Sequence, residues 1–458
     1  MKRENNHNKY LTLRGQFPFF EYQSYSFHIN NQNLEAEFVF NLSDKYLFKP
    51  SIKIPLKEFY AFNNIEKEKL KTFVFHIGMV ELISYWKAAC PTKLIIRPFL
   101  LNEVQVNWWK KLYYNGLGEF FYLNSIETNL QDFMEISSQG EPLRTVSIEF
   151  NKEGVIVPIG GGKDSVVTLE LLKSGGENVT PMMLNPREAS IRSIESAGYT
   201  IKDSIVVERK IDPLLLELNR EGFLNGHTPF SALLAFVNIL TATLSGIRYI
   251  ALSNESSANE STVPGSDINH QYSKSFEFEE DFNWYVKHFI NADIRYFSFL
   301  RPINELQIAR LFSKYPHHFD GFRSCNVGSK MDNWCGECPK CLFTFIILSP
   351  FINQHKLTSI FGKDLFDDNT LKPIFNELTG KSEVKPFECL GTPDEIKAAL
   401  RFTLKNSDRS KIPALLLDFQ NSGTPDNIDS NFKALLRQFD EKHFIPNHLT
   451  PLLKDAIR

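Results

Sequence analysis

The residues from Gly154 to Ser165, GVIVPIGGGKDS, are of the types that bind phosphate. The run VIVPI predicts a buried strand, and the VVTLELLK after Ser165 has the apolar spacing of a helix. Glycines between a strand and a helix let the backbone approach phosphate oxygens, and the N–H groups of the first helical turn point at the anion. We therefore predict a phosphate-binding loop, rather than an ordinary glycine turn, formed by Gly160, Gly161, Gly162, Lys163, Asp164 and Ser165.

This loop differs from the two commonest nucleotide-binding motifs. Asp164 stands where a Walker A loop has Ser or Thr directly after its Lys, and the glycines lack the G-x-G-x-x-G spacing of dinucleotide folds. Within the loop, Lys163 supplies a cation, Asp164 a ligand for magnesium and Ser165 a hydroxyl donor. These groups are suited to binding a nucleoside triphosphate together with Mg²⁺.

Two further segments contain groups that transfer protons. NGHTPFSA includes His227, and NHQYSKS includes His270, Tyr272 and Lys274. His270 and Lys274 are four residues apart, so on a helix they would share one face. A neutral imidazole suits a general base, whereas Lys274 would need a pKa lowered by burial. Ordinary hydrogen-bonding histidines and a solvated polar turn are the alternatives.

Four cysteines fall close together in SCNVGSKMDNWCGECPKC. In a chain without an apolar signal segment at its start, this cluster indicates metal ligation rather than disulfides. Four thiolates complete a tetrahedral structural zinc site. The closely spaced triplet also suits an iron–sulfur cluster, although zinc is favoured. The predicted ligands are Cys325, Cys335, Cys338 and Cys341.

The elements that would position these residues form three regions. Residues 1–145 contain alternating stretches that predict antiparallel strands, and residues 346–458 are helical and polar. Residues 146–345 alternate short apolar runs with helical lengths, which indicates a parallel sheet with crossover helices. The predicted fold is thus α/β, with an N-terminal α+β domain, a phosphate-binding domain ending in the cysteine cluster, and a helical C-terminal region.

Ligands of open parallel sheets bind beyond the carboxyl ends of the strands. Besides the glycine loop, the residues in that position are Asn185, after VTPMML, and Asn254 and Glu255, after YIALS. We predict that they complete the nucleotide site; for Glu255 a helix-capping role is an equal alternative. The aromatic stretches SYWK and YYNG could line a pocket, but aromatic core is the favoured interpretation.

Composition narrows the class of protein. The chain has 458 residues, 42% hydrophobic and 23% charged, which is typical of a globular protein with two or three domains. The net charge of −3 and the lack of a basic block argue against nucleic acid as the partner and favour a small molecule. The uncharged segment 223–247 is better explained by a buried helix than by a membrane span. We expect a cytoplasmic protein.

The glycine loop resembles the SGGxDS loop of the ATP-pyrophosphatase (PP-loop) superfamily, whose members split ATP into AMP and diphosphate and have an adenine nucleotide alpha-hydrolase-like fold. Gly160 replaces the leading Ser, which puts one hydroxyl contact in doubt. The combination of GGGKDS, NGHTPFSA, SNESSA, NHQYSKS, LRPINEL, WCGECPKC and KPFEC resembles the UDP-N-acetyl-alpha-D-muramoyl-L-alanyl-L-glutamate epimerase family of peptidoglycan synthesis. The loop and cysteines are also similar to 7-cyano-7-deazaguanine synthase.

The epimerase resemblance implies ATP-dependent inversion of the terminal L-glutamate of a UDP-MurNAc-dipeptide through an acyl-adenylate. His227, His270 and Lys274 would transfer the proton or hold the glutamate carboxylates. Arg301, Arg323 and Tyr272 are candidates for binding substrate, the arginines through bidentate contacts to carboxylate or phosphate. For both arginines, ion pairing inside the fold is an equal alternative. A PP-loop ligase that forms an amide or nitrile is the alternative enzyme, and a nucleotide-binding module without catalysis is the alternative from another class.

Overall fold

A computed structural model describes most of the chain. The described residues are 3–30, 32–56, 65–148, 150, 152–260, 269–270, 272–291, 293–382, 386–388, 390–407, 411–423 and 428–458. The protein is of the mixed α/β type, with a large β-sheet and many helices. This confirms the α/β class predicted from the sequence.

Strands and helices are mixed through the first two thirds of the chain, and the described elements of the last third are helices. The strands are β1 (Phe19–Ile29), β2 (Asn33–Leu42), β3 (Tyr46–Phe48), β4 (Ser51–Pro55), β5 (Lys93–Ile96), β6 (Phe99–Leu100), β7 (Glu135–Ser138), β8 (Glu141–Pro142), β9 (Lys152–Pro158), β10 (Val179–Leu184), β11 (Ile205–Lys210), β12 (Ile247–Leu252) and β13 (Arg295–Ser298). The helices are α1 (His7–Gln16), α2 (Lys67–Glu81), α3 (Ile83–Trp86), α4 (Glu103–Gly116), α5 (Gly118–Leu123), α6 (Lys163–Ser174), α7 (Glu188–Ser196), α8 (Pro213–Arg220), α9 (Phe230–Ser245), α10 (Phe276–Phe289), α11 (Glu305–Phe312), α12 (Pro339–Leu348), α13 (Gln354–Phe361), α14 (Lys372–Leu378), α15 (Pro393–Asn406), α16 (Ala414–Asn421), α17 (Ile428–Leu435) and α18 (Thr450–Ala456).

The chain forms two compact units, each assembled from separate segments. The first unit comprises residues 1–156, 205–250 and 268–296, and the second comprises residues 157–204, 251–267 and 297–458. The division into three domains, 1–145, 146–345 and 346–458, that we expect from the sequence stays a prediction.

The sheet of the first unit is built on the N-terminal strands. β1 and β2 pair in antiparallel register, with Phe20 opposite Leu42, as the alternating sequence predicts. β4 pairs antiparallel with β2 and with β11, whereas β5 pairs in parallel with β1 and with β7. β9 and β12 also pair in parallel, with Ile156 opposite Ile250. The three runs VIVPI, VTPMML and YIALS, named in the sequence analysis, correspond to β9, β10 and β12.

The uncharged segment 223–247 contains the helix α9 of the first unit. This helix extends over Phe230–Ser245 and is mostly buried, ending at Gly246, whose φ of 70° gives the left-handed conformation that glycine tolerates. Phe236 packs in this core against the rings of Trp109 and His76. Among the described residues, no helix is long and apolar enough to cross a membrane.

The second unit begins at the carboxyl end of β9. Its helix α6 starts directly after the glycine loop and packs against α11, and the buried α12 packs against α15. Capping boxes begin α11 at Asn304 and α15 at Thr392, which fixes where these helices start. The helices predicted within residues 346–458 are present, from α13 to α18.

Candidate functional site

The glycine loop lies between the end of β9 and the start of α6. Gly161 has a φ of 86°, and a Cβ there would lie 2.7 Å from the backbone of Ala189, so a side chain is excluded. Gly162 is the N-cap of α6 in extended conformation, and Ser165 donates a hydrogen bond of 3.0 Å from Oγ to the Gly162 carbonyl. Gly160 is exposed, with open space around its Cα. The N–H groups of the first turn of α6 thus lie beside the glycine backbone, where a phosphate can approach them.

Lys163 is buried within the second unit. Its Nζ contacts Oδ1 of Asp164 and Oε2 of Glu305, the first residue of α11. Burial disfavours its charge, but these two carboxylates raise its pKa overall. Burial, with the nearby charges of Asp164 and Glu255, raises the pKa of Glu305 to about 8. At neutral pH Lys163 is therefore charged, and burial favours the protonated form of Glu305.

The other residues predicted for the nucleotide site lie in the same unit. Asn185 has a φ of 47°, a left-handed conformation at the end of β10. The amide of Asn254 donates a 3.0 Å hydrogen bond to Oγ of Ser298. Glu255 is buried and accepts a 2.9 Å bond from Ser257. The charge of Glu255 contributes to the raised pKa of Glu305. No local sequence pattern indicated that these two residues interact.

The two arginines predicted to bind substrate contact the second unit itself. Arg301 is fully buried and donates from Nη1 to the carbonyl of Glu255 at 2.7 Å. Arg323 is partly exposed, and its side chain donates to the carbonyls of Asp320 and Phe322. Its backbone N–H donates to the carbonyl of Gly161 at 2.8 Å, which fixes the glycine loop. Arg301 thus orients the segment after β12, and Arg323 supports the loop.

Two of the predicted histidines meet in the first unit on a carboxylate that sequence analysis missed. Glu119, in the short helix α5, is buried, and its Oε2 contacts Nδ1 of His270 and lies 3.4 Å from Nδ1 of His227. The two imidazole centroids are 4.6 Å apart, with the rings tilted by 51°. Burial, together with His270, lowers the pKa of His227 to about 4, so this ring is neutral at pH 7.

The loop that carries His227 is held by buried polar groups. Lys87 donates from Nζ to the Gly226 carbonyl, and the amide of Asn124 donates to the Asn225 carbonyl at 3.2 Å. Burial lowers the pKa of Lys87 to about 8. Lys87 ends the aromatic stretch SYWK, and Glu119 follows the stretch YYNG; both stretches were interpreted as core.

The remaining candidates from NHQYSKS lie beside this cluster. Tyr272 and Lys274 belong to a 3₁₀ turn that precedes α10. Burial raises the pKa of Tyr272, which keeps its hydroxyl neutral. The positive charge of Lys274 is one of the causes that lower the pKa of His227. The structure therefore brings His227, His270 and Lys274 into one electrostatic group, although His227 is distant in sequence from the other two.

The four predicted cysteine ligands converge in the second unit. The Sγ atoms are 3.8 Å apart for Cys325 and Cys338, 3.7 Å for Cys335 and Cys341, and 3.5 Å for Cys338 and Cys341. Four sulfurs bound at about 2.3 Å around one tetrahedral ion would be separated by about 3.8 Å. The cluster therefore has the dimensions of a site for a single metal ion.

Buried carboxylates and imidazoles, together with a glycine loop at a helix start, are typical of an α/β enzyme that works on a small molecule. The particular family follows from comparison with known proteins. The chain belongs to the MurL family, because the family model of the MurL N-terminal domain matches residues 12–299 and that of the MurL C-terminal domain matches residues 321–429.

Individual relatives agree with this assignment. The chain is 35% identical over 396 residues to a protein of Xanthomonas oryzae pv. oryzae, covering 83% of this chain and 84% of the relative. It is 36% identical over 324 residues to a Salinispora tropica protein, covering 69% and 70%. Both relatives are named UDP-N-acetyl-alpha-D-muramoyl-L-alanyl-L-glutamate epimerase. The family resemblance stated from the sequence motifs is thus confirmed.

Proposed function

We propose that this protein is an ATP-dependent epimerase that converts the terminal L-glutamate of UDP-MurNAc-L-Ala-L-Glu into D-glutamate and releases AMP and diphosphate. The observation that carries the proposal is the contact of two imidazoles with one buried carboxylate, Glu119, in a chain whose relatives bear that enzyme's name. Such an arrangement is suited to moving a proton. An ATP-binding PP-loop core in a cytoplasmic enzyme belongs to the same proposal.

Activation by ATP answers the chemical difficulty of this inversion. The Cα–H of a free carboxylate is scarcely acidic, because its removal produces a dianion. Transfer of AMP to the carboxylate gives a mixed anhydride, whose enolate carries much less charge. A base of modest strength can then remove the proton, and a proton delivered to the other face inverts the centre. Hydrolysis of the acyl-adenylate then yields AMP and the D-glutamyl product.

The glycine loop is our candidate for binding ATP. Gly160, Gly161 and Gly162 leave room for phosphate oxygens, and the N-terminus of α6 contributes its N–H groups and partial positive charge. Lys163 and Mg²⁺, the latter held by Asp164, would neutralise charge on the leaving diphosphate. Asn185, Asn254 and Glu255 are proposed to complete this nucleotide site in the second unit.

Glu119 would set the protonation of both imidazoles. A carboxylate that accepts from Nδ1–H selects the tautomer whose lone pair lies on Nε2, as a base requires. The low pKa of His227 keeps that ring neutral at physiological pH, so it can accept a proton. Lys87 and Asn124 hold the Asn225–His227 backbone and thereby the position of this ring.

The spacing of the two rings constrains how they act. Bases that serve opposite faces of a planar intermediate must stand about 3–3.5 Å from the carbon on each side. The two base nitrogens would then be about 6–7 Å apart, a separation that rings with centroids 4.6 Å apart reach when their Nε2 atoms point away from each other. We propose that His227 and His270 transfer the proton, and that Lys274 and Tyr272 of the same unit bind the substrate.

The cysteine cluster is proposed to hold a structural zinc ion. The sulfur separations fit one tetrahedral ion, whereas an iron–sulfur cluster distributes its thiolates over different irons. Four thiolates leave no open position for a substrate. Cys338 is the N-cap of α12, so the ion would fix the start of this buried helix.

Replacing Cys338 by Ser should remove this metal and destabilise the second unit. Binding of structural zinc by four ligands is worth about 10 kcal/mol or more, and it couples directly to folding. We expect at least about 3 kcal/mol lower unfolding free energy and the loss of one metal equivalent by elemental mass spectrometry. Cys90→Ala, at a buried thiol outside the cluster, is the control. A stable Cys338→Ser protein with full metal content would contradict the assignment.

The proposed activity is tested by a reaction in heavy water. The purified protein is incubated with ATP, Mg²⁺ and UDP-MurNAc-L-Ala-L-Glu in D₂O, and glutamate Cα deuteration, its configuration and AMP are measured. The proposal expects deuterated D-glutamate and AMP. AMP without deuterium, with turnover dependent on ammonia or glutamine, would instead identify an amide-forming ligase. ATP binding without diphosphate release would identify a module without catalysis.

A further inference from the structure

A third cluster of metal-binding side chains lies in the second unit and is used by neither proposed site. Glu170 belongs to the second turn of α6, and His317 and His318 end the 3₁₀ turn at Pro316–His318. Oε1 of Glu170 lies 3.0 Å from Nε2 of His317 and 2.6 Å from Nε2 of His318. The sequence analysis did not single out these residues.

The dimensions of this cluster are close to those of a metal site. The three ligand atoms all lie within 4.8 Å of one another. Ligands bound at about 2.0–2.1 Å around a tetrahedral ion are separated by about 3.3 Å. A small outward movement of the two rings would therefore admit an ion in place of the hydrogen bonds to Glu170. Two imidazoles and one carboxylate form a ligand set suited to zinc and related transition metals.

Two of the three ligands are buried, which favours binding of an ion, and the third is exposed enough for an ion to enter. His318 is fully buried and the Glu170 side chain is only 10% exposed, so both ligands are held in place. The His317 side chain is 49% exposed, which lets solvent reach the third ligand. Water can therefore complete the coordination, unlike at the four-cysteine cluster.

We propose that Glu170, His317 and His318 bind a divalent transition-metal ion of the Zn²⁺ class. This site would be separate from the magnesium of the nucleotide loop and from the cysteine cluster. It is independent of the proposed epimerase activity, because none of its ligands has a role in that reaction.

The position of the ligands gives the ion a stabilising role. Glu170 lies on the helix that begins at Lys163 of the glycine loop. The carbonyl of His318 accepts from the Phe322 N–H at 3.1 Å, and the next residue, Arg323, donates its N–H to Gly161 at 2.8 Å. An ion held by all three ligands would link the two segments that support the loop. Its binding should therefore rigidify the loop and raise the thermal stability of the protein.

Metal content of the full chain tests the proposal. Protein equilibrated with micromolar ZnCl₂ and passed through a desalting column is analysed by elemental mass spectrometry. His317→Ala should carry one zinc equivalent less than wild type, and this partly exposed position makes misfolding an improbable cause. His355→Ala, an exposed histidine of the same unit that lies in none of the candidate clusters of described residues, should keep the wild-type content.

A second variant separates a metal site from a plain hydrogen-bond network. Glu170→Gln keeps an oxygen that accepts from both histidines but loses the carboxylate charge. In protein whose cysteine cluster is already loaded with zinc, we expect the affinity for further zinc, by competition with a chelating dye, to fall at least about 100-fold, and the further zinc-dependent rise in melting temperature to disappear. Wild-type zinc affinity in Glu170→Gln, or equal zinc content in His317→Ala and wild type, would overturn the proposal in favour of the hydrogen-bond network.

Discussion

Substitution of Glu119 by Gln should lower the rate of deuterium incorporation at the glutamate Cα by about 10³-fold. Loss of a carboxylate that fixes the tautomer of a catalytic imidazole has an effect of this size, and general acid–base catalysis as a whole contributes about 10²–10⁴-fold. The substituted side chain would present a neutral amide to His227 and His270 in place of the buried charge that both Nδ1 atoms face. The rate is measured by NMR in D₂O with saturating ATP.

The same variant should keep its ability to activate the substrate. The glycine loop lies in a different unit from Glu119, so AMP production dependent on the dipeptide should continue, because the undeuterated adenylate hydrolyses back to the L-substrate. Glu81→Gln is the control: it alters another buried carboxylate of the first unit, which pairs with Arg209 at 2.8 Å. Wild-type exchange in Glu119→Gln would exclude the imidazole pair as the base; equal exchange losses in both variants would indicate a general effect on folding.

The sequence predicts much of this fold, because the relevant signals are local. The short apolar runs of the middle region are strands, and the uncharged segment around Phe230–Ser245 is a buried helix. The three glycines and the helix start at Lys163 also lie where strand and helix periodicity placed them. Each of these inferences depends on residues within about a dozen positions of one another, the range over which periodicity is informative.

The groups that complete the sites depend on contacts between distant parts of the chain. His270 reaches Glu119 across 151 positions, and Lys163 reaches Glu305 across 142. Glu119 belongs to none of the quoted motifs, and Glu305 stands in LRPINEL but was given no role there. The two compact units are likewise built from separated segments, an arrangement that periodicity does not reveal. The sequence analysis thus missed charged side chains that are buried within aromatic or helical segments and whose partners lie far away in the sequence.

The second large effect is expected at the phosphate loop. Lys163→Met should reduce diphosphate release from ATP by about 10²–10³-fold, since a fixed cation facing the leaving group contributes on this scale. Burial of Lys163 between Asp164 and Glu305 means that its charge is already fixed beside the loop before nucleotide binds. Lys173→Met, on the same helix and exposed, is the control. Undiminished diphosphate release in Lys163→Met would remove this lysine from the proposed mechanism.

The buried carboxyl of Glu305, in contact with Lys163, should make the stability of the protein depend on pH. The pKa of Glu305, raised by burial to about 8, exceeds the value of about 4.3 for an exposed glutamate. Between these values the folded protein binds more protons than the unfolded chain, so wild-type stability should fall as the pH rises from about 4 to 8. Glu305→Gln removes this titrating carboxyl group and should flatten the pH dependence, becoming more stable than wild type at pH 8 by an amount on the order of 5 kcal/mol. Urea denaturation at pH 5, 6.5 and 8 measures the difference; parallel curves for the two proteins would mean that Glu305 is charged throughout, and Lys163 would then stand between two carboxylate anions.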